Sequence, residues 1–484
     1  MALNVADPES RTTGTGGQTG PVGAVSASGG GSPRTAVVLA GGGFKGAFEL
    51  GAFRHLVEHH DVVPDVITAT SAGAILGTVA AQARTRSELL DRLDEADGDL
   101  MSMTRIDVVF GEQPWLRELD GTVAAERIRR MLTEGGPPSD DGSDDGPVDA
   151  GQHTSGRHHG RHHHEHQRDR HPFADALEVV RRLPAARREG AERTARGILN
   201  LDPFEASLRG GAQVGVTPLD PALVALPGLD LRLATTNVAA RTTHYVTGRA
   251  ELVDADALTP VVDAGPFDLI DGLIASASVP GVFPPRLLGS AEYVDGGVLA
   301  NIPLAAAAAL GPERIFTLAA SPVREPEHPA AARVAEELGY LATQVDNLAT
   351  PLPDGTVHTV VQPTMLVVGT FEVHPGRMRI DIDYGWLRAQ ETVAEPDDGL
   401  LPVLTTASDT IVSLRQRAWA LENRLLDGAD RSELADLSAV KAAVRSAVAA
   451  RTAMGFPPPS GTEWGHRWET HTRPVPDDLP ATFD

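Results

Sequence analysis

The stretch VITATSAGAILG, residues 66–77, decides how this chain is read. Its first half is an apolar, β-branched run and its second half is small and helix-compatible, which predicts a buried strand passing into a helix with Ser71 at the turn. Upstream, TAVVLA (35–40) is a second such strand. It runs into GGG and then into a helical pattern in which Ala47, Leu50, Phe53 and Val57 recur at three- and four-residue steps. Strand-helix-strand-helix at the start of the folded sequence is the opening of a parallel α/β sheet. LRLATTNV (231–238), THYVTG (243–248), EYVDGG (292–297), RIFTLAA (314–320) and TMLVVG (364–369) read as further strands of that sheet.

The bulk properties exclude several functions. In 484 residues, 42 Lys and Arg stand against 66 Asp and Glu, a formal charge of -24 that repels nucleic acid. There is no cysteine, so disulfides, thiolate metal sites and cysteine nucleophiles are out. The first 34 residues, rich in Gly, Ser and Thr, lack the basic start and apolar core of a secretory signal and read as a disordered leader. The longest uncharged run, Val66–Ala83, is too weakly hydrophobic for a membrane helix. The expectation is a soluble, cytoplasmic protein.

Residues 134–172 change character to an acidic and then His-rich low-complexity insertion. His158, His159, His162, His163, His164 and His166 lie there without the fixed spacing of a metal site, so no metal is expected. Arg181, Arg182, Arg187, Arg188, Arg193 and Arg196 then read as a solvated helical face. The remaining organisation is a main folded domain over 35–321, which the motifs below mark as the catalytic candidate, and a C-terminal extension over 322–484. Within the extension, helices are expected over 406–428 and 432–454, followed by a Pro-rich tail. The stripe Ile411, Leu414, Ala418, Leu421 and Leu425 fits core packing, with a dimer seam as the other use.

Two glycine-rich motifs carry the chemistry. AGGGFKGAF fits a dinucleotide-binding loop through Gly41, Gly43 and Gly46, but Asp65 stands at the start of the next strand and not at its end, where a ribose would need it. A P-loop fails because Ala47 and Phe48 follow Gly46. The other use of such a turn is an anion hole in which the backbone N–H groups of Gly42 and Gly43 meet a developing oxyanion. ATSAG, residues 69–73, is then a nucleophile elbow around Ser71 that retains Gly73 but carries Ala69 where the usual pattern has glycine. Small residues at a strand-helix crossing are the alternative. A serine needs a base, and Asp295 in EYVDGGVLANIP, ahead of Gly296 and Gly297, is either that base or an ordinary Asp-Gly turn.

Gly41–Gly46, Ala69–Gly73, Ala275-Ser276 through Pro284-Pro285, and Asp295–Gly297 with Asn301 and Pro303, in that order, resemble the patatin-like phospholipase family. The stretch MRIDIDYGWLRA, 378–389, is similar to bacterial members with a long C-terminal extension, with no chemistry attached to it. The resemblance implies a three-layer α/β fold with a mostly parallel sheet and a nucleophile elbow, followed by a largely helical extension. It implies a serine esterase or lipase acting on phospholipids or similar lipid esters through a Ser-Asp dyad, without a cofactor. Transient contact with a membrane surface belongs to that expectation. Carried over, Ser71 is the nucleophile and Asp295 the base. Gly41, Gly42, Gly43 and Gly46 form the oxyanion loop, and Lys45 orients it. A partly desolvated aspartate can be raised from about 3.9 toward working pH, so histidine is not obligatory. Ala69 departs from the family pattern and puts rate in question. The other reading is a catalytically weak or inactive lipid-binding scaffold on the same fold.

Overall fold

A computed structural model describes residues 33–114, 197–211, 215–262, 264–322, 347–394, 396, 399–428 and 432–458. The His-rich insertion and the Arg-rich segment after it lie outside the described residues.

The strands are β1 (Thr35–Leu39), β2 (Val66–Ala69), β3 (Gly111–Glu112), β4 (Leu199–Asn200), β5 (Asp230–Asn237), β6 (Thr242–Thr247), β7 (Leu252–Val253), β8 (Arg286–Leu288), β9 (Ala291–Asp295), β10 (Arg314–Leu318) and β11 (Val357–Val361). The helices are α1 (Gly46–His60), α2 (Ala72–Ala80), α3 (Arg86–Ser102), α4 (Ile106–Val109), α5 (Asp202–Leu208), α6 (Pro221–Val224), α7 (Leu269–Ser276), α8 (Leu304–Ala309), α9 (Pro375–Val393), α10 (Leu400–Leu426) and α11 (Glu433–Ala453).

The main sheet runs β11-β10-β1-β2-β5-β6-β7, with β9 on β5 and β8 on β9. The five strands from β11 to β5 are parallel, and β6 to β9 join antiparallel. Side chains of β1 alternate between the faces, as the strand period requires. Val37 and Leu39 enter a core with Phe48, Phe53 and Leu56 of α1 and Met378, Ile380 and Ile382 of α9. Ala36 and Val38 meet Leu304 and Ala307 of α8 on the other side. The result is a mixed α/β fold with helices on both faces of a mostly parallel sheet, and with further helices after it.

Helices α1 and α9 approach backbone to backbone. A Cβ on Gly51 would collide with the Ile382 carbonyl, and one on Gly385 with the Phe48 carbonyl. Two glycines therefore let the helix from the C-terminal region lie directly on the helix that follows the glycine loop. Arg379 of α9 adds a buried bidentate pair with Asp97 of α3 at 2.6 and 2.8 Å. The stripe on α10 is used within the chain, since Ala418, Leu421 and Leu425 pack on Leu437, Val440 and Val444 of α11.

TMLVVG is not a strand. The edge strand is β11, VHTVV, and residues 364–369 form an irregular segment whose polar groups are taken elsewhere. The Thr364 N–H donates to the Tyr384 hydroxyl at 3.0 Å, its own hydroxyl donates to Asp409 at 2.6 Å, and the Gly369 N–H donates to Glu372 at 2.9 Å. The apolar pattern reflects burial of Val367 and Val368, which a loop crossing the core can also provide. Among the described residues no helix is long and apolar enough to cross a membrane.

Candidate active site

Strand β5 sets the distance between the two motifs. Ala69, the last residue of β2, lies opposite Leu233, and Asp295, the last residue of β9, lies opposite Thr235. Positions two apart on one strand are separated by about 7 Å. Because β2 is parallel to β5 and β9 antiparallel, the two run toward each other along one edge of β5. The turn after β2 and the turn after β9 meet there, which brings Ser71 to Asp295 although they stand 224 positions apart in sequence.

Ser71 has φ 54° and ψ -123°, a conformation that costs a non-glycine residue about 1–3 kcal/mol. It persists because its surroundings over-determine it. The Ser71 N–H donates to the Ser276 hydroxyl of α7 at 3.1 Å, the Thr70 hydroxyl donates to the Ala300 carbonyl at 2.7 Å, and the Thr68 hydroxyl donates to the Pro303 carbonyl at 3.0 Å. The motifs around Ser276 and Asn301 thus act as clamps on the elbow. Gly73 lies where α2 crosses β1, its Cβ position 2.5 Å from the Ala40 carbonyl oxygen. Ala69 is fully buried, and its methyl packs on Gly77, one turn into α2. The space that the methyl needs is therefore provided by Gly77.

Asp295 is 4% exposed. Its Oδ1 accepts the Gly297 N–H at 2.6 Å, while Oδ2 has no hydrogen-bond partner among the described residues. Burial raises its pKa to about 6, against the opposing pull of the Ser71 hydroxyl and the Gly297 N–H. Gly296 passes over the Ala234 carbonyl of β5, which seats the turn against the sheet.

The glycine loop touches the elbow at Gly41, whose Cβ position is 3.2 Å from the Ser71 Cβ. Asn301 holds this residue twice. The Gly41 N–H donates to the Asn301 carbonyl at 3.0 Å, and the Asn301 side-chain amide donates to the Gly41 carbonyl at 3.3 Å. Gly43 has φ +60°, and a Cβ there would collide with the Thr370 carbonyl, which accepts the Phe44 N–H at 3.1 Å. The N–H groups of Gly42 and Gly43 meet no acceptor among the described residues. Gly46 opens α1 beside Ala72, the first residue of α2, so two helix N-termini converge at the elbow and bias it toward negative charge. Lys45 is buried, its ammonium donating to the Ser321 hydroxyl at 2.8 Å, so its charge sits inside the fold behind the loop.

The patatin-like phospholipase family model matches residues 37–308, more than half of the chain. The chain belongs to the patatin-like phospholipase family. Membership supports lipid acyl hydrolase activity and lipid substrates. Among solved structures, VipD from Legionella pneumophila is similar at 12% identity, over 84% of this chain and 79% of that one, with a TM-score of 0.31. The type III effector protein ExoU is similar at 15% identity and a TM-score of 0.23, over 87% of this chain and 63% of its own length. No curated protein matches the sequence.

Sequence reading brought out the glycines, Ser71, Asp295 and Asn301, but not Thr370, Glu49 or Asp381. Glu49 carried one signal, an acidic side chain on the helix face that packs inward. Among the described residues no group of three or more His, Asp or Glu is arranged to hold a metal.

Proposed function

We propose that this patatin-like chain is a serine lipid acyl hydrolase working through a Ser71–Asp295 dyad. The observation that carries the reading is a desolvated aspartate, raised to about 6, beside a serine at positive φ. In the first step the Ser71 Oγ attacks the ester carbonyl carbon while the Asp295 carboxylate takes the hydroxyl proton. Base help of this type is commonly worth about 10² to 10⁴ in rate.

The carbonyl oxygen becomes an oxyanion facing the N–H groups of Gly42 and Gly43. Each donor in such a hole is worth on the order of 3 kcal/mol of barrier. Collapse breaks the ester C–O bond, and Asp295 returns its proton to the departing alcohol. Water then attacks the acyl-serine with Asp295 again as base, releasing the fatty acid and restoring the serine. The raised pKa suits both directions, since a carboxylate near 4 would hold the proton too weakly to deliver it.

The test is hydrolysis of a short-chain nitrophenyl ester and labelling by a fluorophosphonate, followed by a panel of phospholipids, lysophospholipids and glycerides. Ser71→Ala abolishes turnover and labelling, and Asp295→Asn abolishes turnover, with the fold of both intact. Near-full activity in either folded variant excludes the mechanism. Lipid binding without labelling at Ser71 would instead favour a scaffold role.

A further inference from the structure

The stretch MRIDIDYGWLRA has no part in the chemistry so far, yet it forms the middle of α9 and lies on α1. The glycine contacts at Gly51 and Gly385 bring Asp381 to the first turns of α1, where it is buried and accepts the backbone N–H of Phe48. Lys45, immediately before α1, is buried in the same place. Among the described residues Asp381 from α9 and Glu49 from α1 face its ammonium, which donates to the Ser321 hydroxyl beyond β10. Burial pushes the Asp381 carboxyl well above the usual carboxylate range, and Arg377, Lys45 and the Phe48 N–H pull it back toward its charged form while Glu372 opposes them. Glu49 grips the other end of the loop, its Oε1 accepting the Ala40 N–H at 2.7 Å.

We propose that Asp381 is a positioning residue for the oxyanion loop: from the C-terminal helix it supplies the counter-charge that keeps Lys45 buried, and through Lys45 it holds Gly41–Gly43 against Ser71. This rests on the Ser71–Asp295 reading. The physical reason is that an ammonium in an apolar interior needs a carboxylate beside it. With Asp381 gone, Glu49 alone faces the ammonium and is already engaged by the Ala40 N–H, so Lys45 moves toward water and takes the adjoining turn with it. A donor displaced by a fraction of an ångström still binds substrate but no longer meets the oxyanion, so the loss falls on kcat. Burial already pulls Lys45 down to about 8 while Asp381 and Glu49 support its charge, so removing the Asp381 carboxylate lowers it further.

The experiment compares Asp381→Asn, Lys45→Met, the double variant and Arg379→Gln with the wild-type chain, on a nitrophenyl ester over a range of pH. Asp381→Asn lowers kcat by about tenfold or more with KM within about twofold, and moves the alkaline limb of the kcat profile to lower pH. The double variant is no slower than Lys45→Met, because Asp381 acts through Lys45. Arg379→Gln breaks another buried pair of the same helix without touching Lys45, and lowers the thermal midpoint while kcat of the folded protein is kept.

Wild-type kcat in Asp381→Asn overturns the proposal, as does an additive double variant or an equal kcat loss in Arg379→Gln. The double variant removes the ammonium together with the carboxylate it faces, so it keeps the test decisive where Asp381→Asn alone does not fold; wild-type kcat there overturns the proposal equally. An inactive wild-type chain that does not label at Ser71 refutes the hydrolase reading itself, an outcome distinct from all of these.

Discussion

Replacing Asp295 by asparagine separates stability from activity in a way that depends on pH. The folded carboxyl is raised from 3.8 to about 6, and the unfolded chain returns it to its ordinary value. The folded state therefore holds this proton more tightly, so folding loses stability as pH rises through the window from 3.8 to about 6, and the full penalty persists above it. A rise from 3.8 to about 6 is worth about 3 kcal/mol at pH 8 and roughly half that at pH 5. Asparagine keeps the acceptor for the Gly297 N–H and carries no charge, so it removes the penalty. Its amide group takes the place of the unpartnered Oδ2 and gives back about 1 kcal/mol if it finds no acceptor. The expected outcome is an inactive variant that is more stable than the wild type by about 2–3 kcal/mol at pH 8, with a gain smaller by roughly 1.5 kcal/mol at pH 5. Denaturant unfolding at the two pH values measures it. A variant no more stable than wild type at pH 8, or equally stabilised at both, would refute the claim that Asp295 is held in a desolvated, strained state.

Three further outcomes follow from the same geometry. The kcat/KM profile should rise through about pH 6, as Asp295 ionises, and decline above about 8 as Lys45 loses its proton; initial rates across that range check it, and a profile flat through 6 contradicts the base assignment. Ala69→Gly should leave kcat within about twofold, because the methyl packs on Gly77, while lowering stability by about 0.5–1 kcal/mol through backbone freedom. A clear rise in kcat would mean that the methyl strains the elbow after all. Gly385→Ala should destabilise by about 1–3 kcal/mol or more, read by thermal unfolding, because its Cβ meets the Phe48 carbonyl of α1 and the two helices must separate.

The order of β1, the glycine loop, α1, β2 and the elbow was legible in residues 35–80, because local patterning there agrees with the tertiary fold. Ala69 shows the limit of motif reading. Against the family pattern it is a departure, but its effect depends on Gly77, eight positions on, and only helix packing makes the two neighbours. TMLVVG shows a second limit. An apolar run reports that a segment is buried, and it says nothing of whether its backbone groups pair in a ladder or with side chains such as Tyr384 and Glu372.

By itself the sequence determined which candidate groups are present. It excluded cysteine chemistry, set a charge of -24 against nucleic acid, and marked Ser71, Asp295 and the N–H donors of a glycine loop as candidates, since those properties belong to residue type and to spacing within a turn. The tertiary structure decided what each group is worth. The registers of β2 and β9 on β5 set Ser71 beside Asp295. Burial moved the carboxyl to about 6. The close crossing of α1 and α9 brought Asp381 into the surroundings of Lys45, more than three hundred positions away. Distance and desolvation arise from packing between segments remote in the chain, and no local pattern of residues encodes them.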